Sequence, residues 1–355
     1  MKVMKILHTA DWHLDTPFSG FSGEKRDFLR RELLKIPEKI VKLALREGCD
    51  LILIAGDVFD GAYTADSLDA VRNALGNCKL PVFISPGNHD FCAPDSPWAA
   101  EHWPENVHIF TGGLESKTVP ALDCRIYGAG YSSMDCEPLL DNFRKEGEEK
   151  YQIGLIHGDP TSVSSPYSPV TAAQVRTSGL DYLALGHIHK GGSFTAGQTL
   201  CAWPGCPMGR GYDELGEKGT YIVDLDAKEL RFVAMDTPRF FDLEAETGES
   251  AAASLDALLP PVESADFYRV TLTGSGEGSL EELTTRFAHI PNLELRDQRT
   301  EKVDIWSAAG DDTLEGVYFQ MLRQMLDTAG EREAAQIQLA AEISRKLLDG
   351  REVTL

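Results

Sequence analysis

The sequence predicts an α/β fold. Over the first 235 residues, five short apolar runs alternate with segments of helical spacing, the pattern of a mostly parallel sheet covered by helices. The runs lack the apolar–polar alternation of a half-exposed sheet, so we expect strands buried on both faces. Each run ends at polar residues, and functional groups gather at strand ends in such sheets. The five runs are Met4–His8, Leu51–Ala55, Pro81–Ser85, Tyr151–His157 and Asp181–Gly186.

The segments between these runs predict helices. Apolar residues recur at helical spacing from Glu24 to Glu47, where Pro37 predicts a break or a second start. A further helix is expected at Ala65–Leu75. Residues 199–236 contain Gly-rich turns and predict a β-meander.

A domain boundary is predicted at Thr237-Pro238. After it, apolar runs predict three strands and a helix, which together suggest a small α+β domain. Residues 313–348 combine strong helix formers with apolar residues at i, i+3 and i+4, so we expect one or two terminal helices. The expected parts are an α/β domain over 1–236, a small α+β domain over 237–312 and a helical segment over 313–355.

Composition narrows the class of protein. The 355 residues contain no run of eighteen apolar residues, so no membrane span is expected. The N-terminus runs directly into charged and polar residues, which argues against a signal peptide. Seven cysteines without a C-x-x-C pair favour a reducing cytosol over a disulfide framework or a thiolate zinc site. We therefore expect a cytoplasmic protein.

The charge of the chain argues against binding nucleic acid by bulk attraction. The net charge is −22, and residues 236–355 contain 24 acidic but only 11 basic side chains. A polyanion would have to bind to local positively charged patches or to metal ions. The strongest positive patch is either a solvated helix face or a phosphate contact, and one further cation follows the last histidine motif. The candidates are Lys25, Arg26, Arg30, Arg31 and Lys190.

The polar residues after the five runs are the chemically informative part of the sequence. Asp11 and His13 are two positions apart, as are His187 and His189, so each pair can point to one side. Carboxylate, imidazole and amide oxygen form a mixed ligand set that suits Mn, Fe or Zn. The seven candidates are Asp11, His13, Asp57, Asn88, His157, His187 and His189.

The number of candidates favours two ions over one. A single ion needs about three or four protein ligands, whereas two ions that share a carboxylate accommodate seven more naturally. Each motif alone is a weak signal, because Asn and Asp are common in turns. Five motifs in this order, each at a strand end, favour a chemical role for these residues over a purely structural one.

The series D-x-H, G-D-x-x-D, G-N-H-D, H and G-H-x-H resembles the calcineurin-like metallophosphoesterase superfamily over residues 4–236. The resemblance implies a four-layer α/β/β/α sandwich. It implies two divalent ions, with Mn²⁺ expected first and Fe or Zn as alternatives. His89 would lie beside the scissile phosphate and Asp90 would orient it. One ion would be held by Asp11, His13, Asp57 and His189, and the other by Asp57, Asn88, His157 and His187, so that Asp57 bridges.

A narrower resemblance is to SbcD-type DNA repair nucleases. It rests on residues 6–14, on Trp203–Pro207 and on the Tyr212-Asp213-Glu214 segment. The motif H-L-D-x-P-F at 13–18 is most similar to a YhaO-like branch, where better-known members have H-L-G. The small domain after 237 would correspond to a DNA-capping domain. The resemblance implies a metal-dependent DNA exonuclease, alone or with single-strand endonuclease activity, acting as a homodimer with an SMC-like ATPase.

Two other functions stay open at this point. A small-molecule or nucleotide phosphoesterase fits the acidic charge, although such an enzyme does not need a separate domain after residue 237. A catalytically silent binding subunit is disfavoured by the complete ligand set and His89. The terminal helices, Leu314–Leu326 or Ile337–Leu348, either dock a partner or pack against the parent domain.

Overall fold

A computed structural model of the chain describes residues 3–300 and 305–348. The chain divides into two compact units, which we describe separately. The first takes Met1–Leu243, Pro260–Val270 and Arg286–Leu295, and the second takes Glu244–Leu259, Thr271–Thr285 and Arg296–Leu355. This division does not follow the expected boundaries at 236 and 312, so the three-part organisation remains a prediction. The last seven residues of the expected helical segment, 349–355, lie outside the described residues.

Two six-stranded sheets form the centre of the first unit. In the first sheet the spatial order is β12-β11-β1-β2-β3-β4, with β1 to β4 parallel. These strands are β1 Lys5–Thr9, β2 Leu51–Ile54, β3 Val82–Ile84, β4 Val107–Ile109, β11 Gly219–Asp224 and β12 Glu229–Ala234. In the second sheet the order is β5-β6-β7-β8-β10-β9. These strands are β5 Glu115–Val119, β6 Cys124–Gly128, β7 Tyr151–His157, β8 Tyr182–Gly186, β9 Lys190–Ala196 and β10 Thr199–Gly205.

The two sheets pack face to face, and helices cover their outer faces. On β2, Leu51 and Leu53 contribute to the core between the sheets, whereas Ile52 and Ile54 pack on the helical side. This alternation of two apolar faces explains why the predicted strands read as continuous apolar runs. The four-layer α/β/β/α sandwich implied by the sequence is confirmed. The helices of this unit are α1 Gly23–Leu33, α2 Ile36–Glu47, α3 Ala65–Cys78, α4 Pro97–Ala100 and α5 Ala172–Ser178, with a 3₁₀ turn at Pro120–Leu122.

Local sequence fixes the helix ends. Pro37 occupies the first turn of α2, and Gly48 ends the helix in the left-handed conformation, with φ of 67°. Thr64 and Ser67 form a capping box at the start of α3, where each side chain bonds the other residue's backbone N–H. The second start predicted at Pro37 is thereby confirmed.

The remaining elements belong to the C-terminal part of the chain. A three-stranded sheet has the order β13-β14-β15. Its strands are β13 Phe240–Thr247, β14 Phe267–Gly274 and β15 Leu293–Asp297. The helices are α6 Ala251–Leu258, α7 Leu280–Arg286, α8 Leu314–Leu326 and α9 Glu331–Leu348. The three strands, α7 and two terminal helices match the expected elements, whereas α6 has no counterpart among them.

The meander predicted over residues 199–236 is wrong. β10 lies in the second sheet between β8 and β9, and β11 and β12 form a hairpin on the first sheet beside β1. The reason is that β1 and β8 both offer an open edge, so successive strands join different sheets. The connection over residues 206–218 therefore crosses from one sheet to the other. Among the described residues, no helix is long and apolar enough to span a membrane.

Candidate metal centre

The turns after β1 and β2 continue side by side and align their polar residues. The backbone N–H of Asp11 donates to Gly56 O over 3.0 Å, and that of His13 donates to Asp57 O over 2.9 Å. These bonds extend the pairing of two neighbouring strands past their ends. Asp11, His13 and Asp57 are consequently held at one edge of the sheet, and all three side chains are buried.

Four of the expected ligands have left-handed backbones. The φ angles are 54° at Asp11, 47° at His13, 51° at Asp57 and 92° at His187. Non-glycine residues seldom adopt this region, and such conformations concentrate at functional sites because the surrounding structure must hold them. The turns therefore orient these side chains toward one another, and their left-handed conformations cost backbone free energy.

Gly87 gives the site its close packing. A Cβ at this position would overlap the Asp57 carboxylate and the His157 ring. Any other residue would therefore push β3 and its following turn away from the ligands. This explains the glycine in the G-N-H-D motif without reference to chemistry.

The first group of ligand atoms lies around His13 and His189. The Nε2 atoms of these two rings are 3.1 Å apart. The Nδ1–H of His13 is directed at Asp60 Oδ1, 3.3 Å away, and that of His189 at Glu214 Oε1, 2.7 Å away. Both Nε2 atoms thus carry lone pairs that face each other, an arrangement that a shared cation stabilises. Ligand atoms of Asp11, His13 and His189 all lie within 4.8 Å of one another.

The second group lies around Asn88. Its Oδ1 is 2.9 Å from His157 Nε2 and 3.1 Å from His187 Nδ1. His157 donates Nδ1–H to Ala55 O over 2.8 Å, so its Nε2 also presents a lone pair to an oxygen. Asp57 Oδ2 lies 3.4 Å from His157 Nε2 and 3.7 Å from His13 Nε2, between the two groups. The structure thus brings all seven candidate ligands together, and the bridging role of Asp57 stays a prediction.

Burial sets the charge state of these residues. It lowers the pKa of His13 to about 3 and that of His187 to about 4, and it lowers the pKa of His157 well below its ordinary value. These imidazoles are neutral at pH 7, which is the form that binds metal. Burial also raises the pKa of Asp11 to about 6, and burial together with nearby Asp90 and Asp11 raises the pKa of Asp57. Buried carboxylates this close to one another need a cation.

One buried atom tests whether divalent ions fit this site. Asp11 Oδ2 is buried and has no hydrogen-bond partner among the residues that the structure describes, which is costly for a carboxylate oxygen. Together with the facing imidazole lone pairs, this orphaned oxygen fits a bound cation. The donor set of carboxylate, imidazole and amide oxygen suits divalent metal ions, and the choice among Mn, Fe and Zn stays a prediction.

The structure assigns Asp60, rather than Asp90, to the His89 ring. Asp60 Oδ1 lies 2.9 Å from His89 Nδ1, and Oδ2 accepts from Thr16 Oγ1 over 3.0 Å. The Asp90 oxygens accept instead from the backbone N–H groups of Gly87 over 2.8 Å and Val58 over 2.7 Å. The expectation that Asp90 orients His89 is therefore corrected. Asp90 instead links the turn after β2 to the turn after β3 through these hydrogen bonds. Both carboxylates follow glycine motifs in the sequence, and only the fold distinguishes their roles.

The pKa of Asp60 reflects this arrangement. Burial opposes a charge on this carboxyl group, but hydrogen bonds with His13 and His89 outweigh it and lower its pKa below the ordinary value. Asp60 is therefore an anion at neutral pH and accepts an N–H from each ring. The Nε2 atom of His89, whose side chain is 40% exposed, is left for substrate.

Two further residues complete the site, and the sequence analysis gave neither of them a role. Glu214 is buried and accepts from His189 Nδ1 over 2.7 Å and from Arg210 Nη2 over 2.7 Å. Burial opposes its charge, but the hydrogen bonds with His189 and Arg210 outweigh it and lower its pKa. Both residues come from the segment that crosses between the sheets. The acidic Tyr212-Asp213-Glu214 segment was the available signal, but nothing local linked it to a histidine 25 positions away.

The predicted basic residues lie on α1 and β9. Lys25 lines a cavity beside Asp60 and Arg210, and Arg31 lines a second cleft with Asp15. Arg30 donates to Pro17 O over 3.1 Å, a contact to the turn that follows His13. The remaining two are Arg26, which lies 3.8 Å from Asp27, and exposed Lys190 at the start of β9. A role in binding nucleic acid stays a prediction for all five.

Fold and site together define a metallophosphoesterase. The calcineurin-like phosphoesterase model matches residues 4–191, more than half of the chain, and the chain belongs to this family. Its members are metal-dependent phosphoester hydrolases with a dinuclear site, which agrees with the two ligand groups. The metallophosphoesterase resemblance drawn from the sequence is confirmed.

Particular relatives refine this placement. The chain is 30% identical over 277 residues to the uncharacterized metallophosphoesterase YhaO of Bacillus subtilis, covering 73% of this chain and 67% of that protein. It is 27% identical over 271 residues to the SbcD subunit of the nuclease SbcCD from the same organism, covering 62% of this chain and 66% of that protein. The chain thus spans about two thirds of the length of these relatives. The crystal structure of TT1561 of Thermus thermophilus covers 66% of this chain and 99% of its own, with 18% identity and a TM-score of 0.44.

Proposed function

We propose that this protein is a phosphodiesterase that uses two divalent ions, Mn²⁺ first, to hydrolyse DNA as an exonuclease in the cytoplasm. The observation that carries the proposal is the convergence of seven buried or half-buried candidate ligands, Asp57 among them, with His89 beside them. The similarity to a nuclease subunit supports DNA as the substrate. The single-strand endonuclease activity implied by the sequence belongs to the same proposal.

Each proposed ion has its own ligands. Asp11, His13 and His189 would hold one, Asn88, His157 and His187 would hold the other, and Asp57 would contact both. When bound, such ions supply Lewis acidity and a water of lowered pKa. The protein fixes the imidazole tautomers through Asp60, Glu214 and Ala55 O, so that each ring presents a lone pair.

His89 would act on the leaving group. Asp60 accepts its Nδ1–H, which orients the ring and leaves Nε2 facing the substrate side. From that position the ring can stabilise charge on the phosphoryl oxygens or donate a proton to the leaving oxygen. Its partial exposure is consistent with access for a substrate.

The first experiment measures cleavage of labelled DNA. The substrates are a linear duplex and a single strand, with bis-p-nitrophenyl phosphate as a small diester and Mn²⁺ as the added metal. His89→Ala is the blank for the chemical step, and His102→Ala, on the surface of the same unit, is the matched control. DNA cleavage that the blank loses and the control retains would support the proposal, and the product ladder would give the polarity.

One result would contradict the DNA assignment. Hydrolysis of the small diester with both DNA substrates untouched would favour a phosphoesterase of small molecules or nucleotides. The acidic net charge of −22 is the observation that favours this second candidate.

The assembly is a further part of the proposal. We infer a homodimer that works with an SMC-like ATPase, supported by the similarity to a nuclease subunit. In the second unit, α8 leaves Leu314, Met321 and Met325 exposed, at 89%, 59% and 50%. Such apolar helix faces commonly bind a partner. Light scattering tests the dimer, and co-purification with the SMC-like ATPase of the same organism tests the complex.

A further inference from the structure

The four imidazoles of the candidate metal centre are not all held in the same way. Three of them donate their second ring N–H to a carboxylate or carbonyl oxygen, which fixes the tautomer and the orientation of the ring. These pairs are His13 with Asp60, His189 with Glu214 and His157 with Ala55 O. His187 directs Nδ1 at Asn88 Oδ1, 3.1 Å away, so a lone pair at Nδ1 requires the proton to be on Nε2. No described residue accepts a hydrogen bond from that Nε2 atom, so the orientation of this ring depends on another contact.

A tyrosine ring makes this contact. The ring centroid of Tyr167 lies 4.6 Å from that of His187, with 41° between the two planes. On another side, the His157 ring lies 5.2 Å from His187 at 79°. His157 is itself a candidate ligand, so among the described residues Tyr167 is the one ring that contacts His187 from outside the ligand set. Aromatic pairs at such separations attract each other beyond the effect of the area that they bury.

Tyr167 belongs to the loop over residues 159–168, which begins directly after β7 and Gly158. The two ends of this loop are bonded to each other, because the backbone N–H of Asp159 donates to Tyr167 O over 3.0 Å and to Ser168 O over 3.2 Å. Gly158 permits this closure, since a Cβ there would lie 2.7 Å from Ser168 O. The backbone of Tyr167 is thus fixed close to the end of the strand that contributes a candidate ligand.

A second set of bonds fastens the same end of the loop. Cys136 pairs with Tyr167 as a parallel β-bridge: its N–H donates to Pro166 O over 2.8 Å, and its O accepts from Ser168 N–H over 2.7 Å. The Asp159 carboxylate accepts from the N–H and the hydroxyl of Thr161, over 2.7 and 2.6 Å, so it is engaged within the loop. The loop therefore presents Tyr167 to His187 on an anchored backbone.

We propose that Tyr167 is a positioning residue that holds the His187 ring in the orientation that binds the ion of the Asn88 group. The affinity for that ion then depends on the 159–168 loop. The affinity for the other ion does not, because His13 and His189 have hydrogen-bonded partners of their own. The proposal rests on the proposed function, from which it takes the assignment of ligands to two ions.

Three substitutions separate the ring from its surroundings. Tyr167→Leu keeps a large apolar side chain and removes the ring, whereas Tyr167→Phe keeps the ring and removes the hydroxyl. Phe194→Leu is the matched control, because Phe194 is also half-buried and contacts one ring, that of Trp203, with centroids 6.2 Å apart. Thermal unfolding of each variant in EDTA shows whether the metal-free protein still folds.

The test is titration calorimetry of the metal-free proteins with Mn²⁺. We expect the wild-type protein to bind two ions. Tyr167→Leu should weaken one of the two binding events by about tenfold or more, as for the lost partner of a metal-ligating histidine, and leave the other unchanged. Tyr167→Phe and Phe194→Leu should retain both affinities. The rise in unfolding temperature on adding Mn²⁺ should be smaller for Tyr167→Leu than for the other three proteins.

The outcomes distinguish this proposal from the proposed function. Two ions bound by the wild-type protein, with both affinities unchanged in Tyr167→Leu, would overturn the positioning role alone, even if that variant unfolds at a lower temperature in EDTA. Equal weakening of both binding events would also overturn it, as would equal effects of Tyr167→Leu and Tyr167→Phe. A wild-type protein that binds fewer than two ions would overturn the ligand assignment of the proposed function and the positioning role with it.

Discussion

The metal-ligating edge of the first unit and the helix pair of the second depart from ordinary burial in opposite directions. At the edge, Asp11, His13 and His157 are fully buried although they are polar. On α8 and α9, Leu314 and Leu347 are 89% and 62% exposed although they are apolar. Each departure is a cost to the isolated chain, which bound cations would offset in the first case and a further apolar surface would offset in the second.

The largest effect is expected at the carboxylate between the two ligand groups. Asp57→Asn removes the charge that both ions would share, so hydrolysis of bis-p-nitrophenyl phosphate should fall by about 10³-fold or more, since metal catalysis supplies several kcal/mol. The rate is measured at saturating Mn²⁺, with Asp69→Asn on the exposed face of α3 as the control. A rate within tenfold of wild type would show that Asp57 does not hold the ions.

Substitutions of Asp60 and Asp90 should have different effects, because the first residue contacts His89 and the second holds the backbone of two turns. Asp60→Asn disturbs the His89 tautomer, so we expect kcat to fall by about 10²-fold. Asp90→Asn weakens hydrogen bonds to three backbone N–H groups. It should lower the free energy of unfolding by about 1.5–3 kcal/mol, with a smaller change in kcat. Steady-state kinetics and urea denaturation of both variants measure the two effects, and the reverse pattern would restore Asp90 as the partner of His89.

Glu214 should influence metal affinity rather than folding. Glu214→Gln replaces the carboxylate that accepts from His189 Nδ1, and losing such a partner typically weakens metal binding by about 10–100-fold. Titration calorimetry with Mn²⁺ measures the affinity. Glu217→Gln, on the same connection and 65% exposed, serves as the control. Equal affinities in the two variants would mean that Glu214 only supports the loop.

The smallest effect on the protein itself is expected at the exposed helix face. Met321→Glu should change the free energy of unfolding by no more than about 0.5 kcal/mol, because the side chain is 59% exposed. It should abolish co-purification with the ATPase. Phe319→Ala, in contrast, removes a buried ring and should cost about 3–5 kcal/mol. Retained co-purification of Met321→Glu would exclude this face as the docking surface.

The candidate ligands could be named from the sequence because each of the five motifs lies at the end of its own strand. Local sequence is enough to recognise the apolar runs of β1, β2, β3, β7 and β8. Parallel strands then bring their carboxyl ends together at one edge of the sheet. The partner of His89 could not be predicted in this way, because Asp60 and Asp90 occupy equivalent turn positions. Arg210 and Glu214 come from a connection between sheets, and its course depends on which edge β11 pairs with. The helix α6 was missed because its Ala- and Ser-rich sequence resembles a linker.

The left-handed turns at Asp11, His13, Asp57 and His187 have a consequence for the lifetime of the protein. Each such residue costs of order 1 kcal/mol, and the crowded carboxylates add to that cost when no cation is present. Ions that bind only the folded chain offset this cost by mass action. The stabilisation is about 2.7 kcal/mol when the free ion concentration is a hundred times Kd. It follows that metal supply sets how much of this protein escapes proteolysis, so that a metal-starved cell would hold fewer copies as well as less active ones.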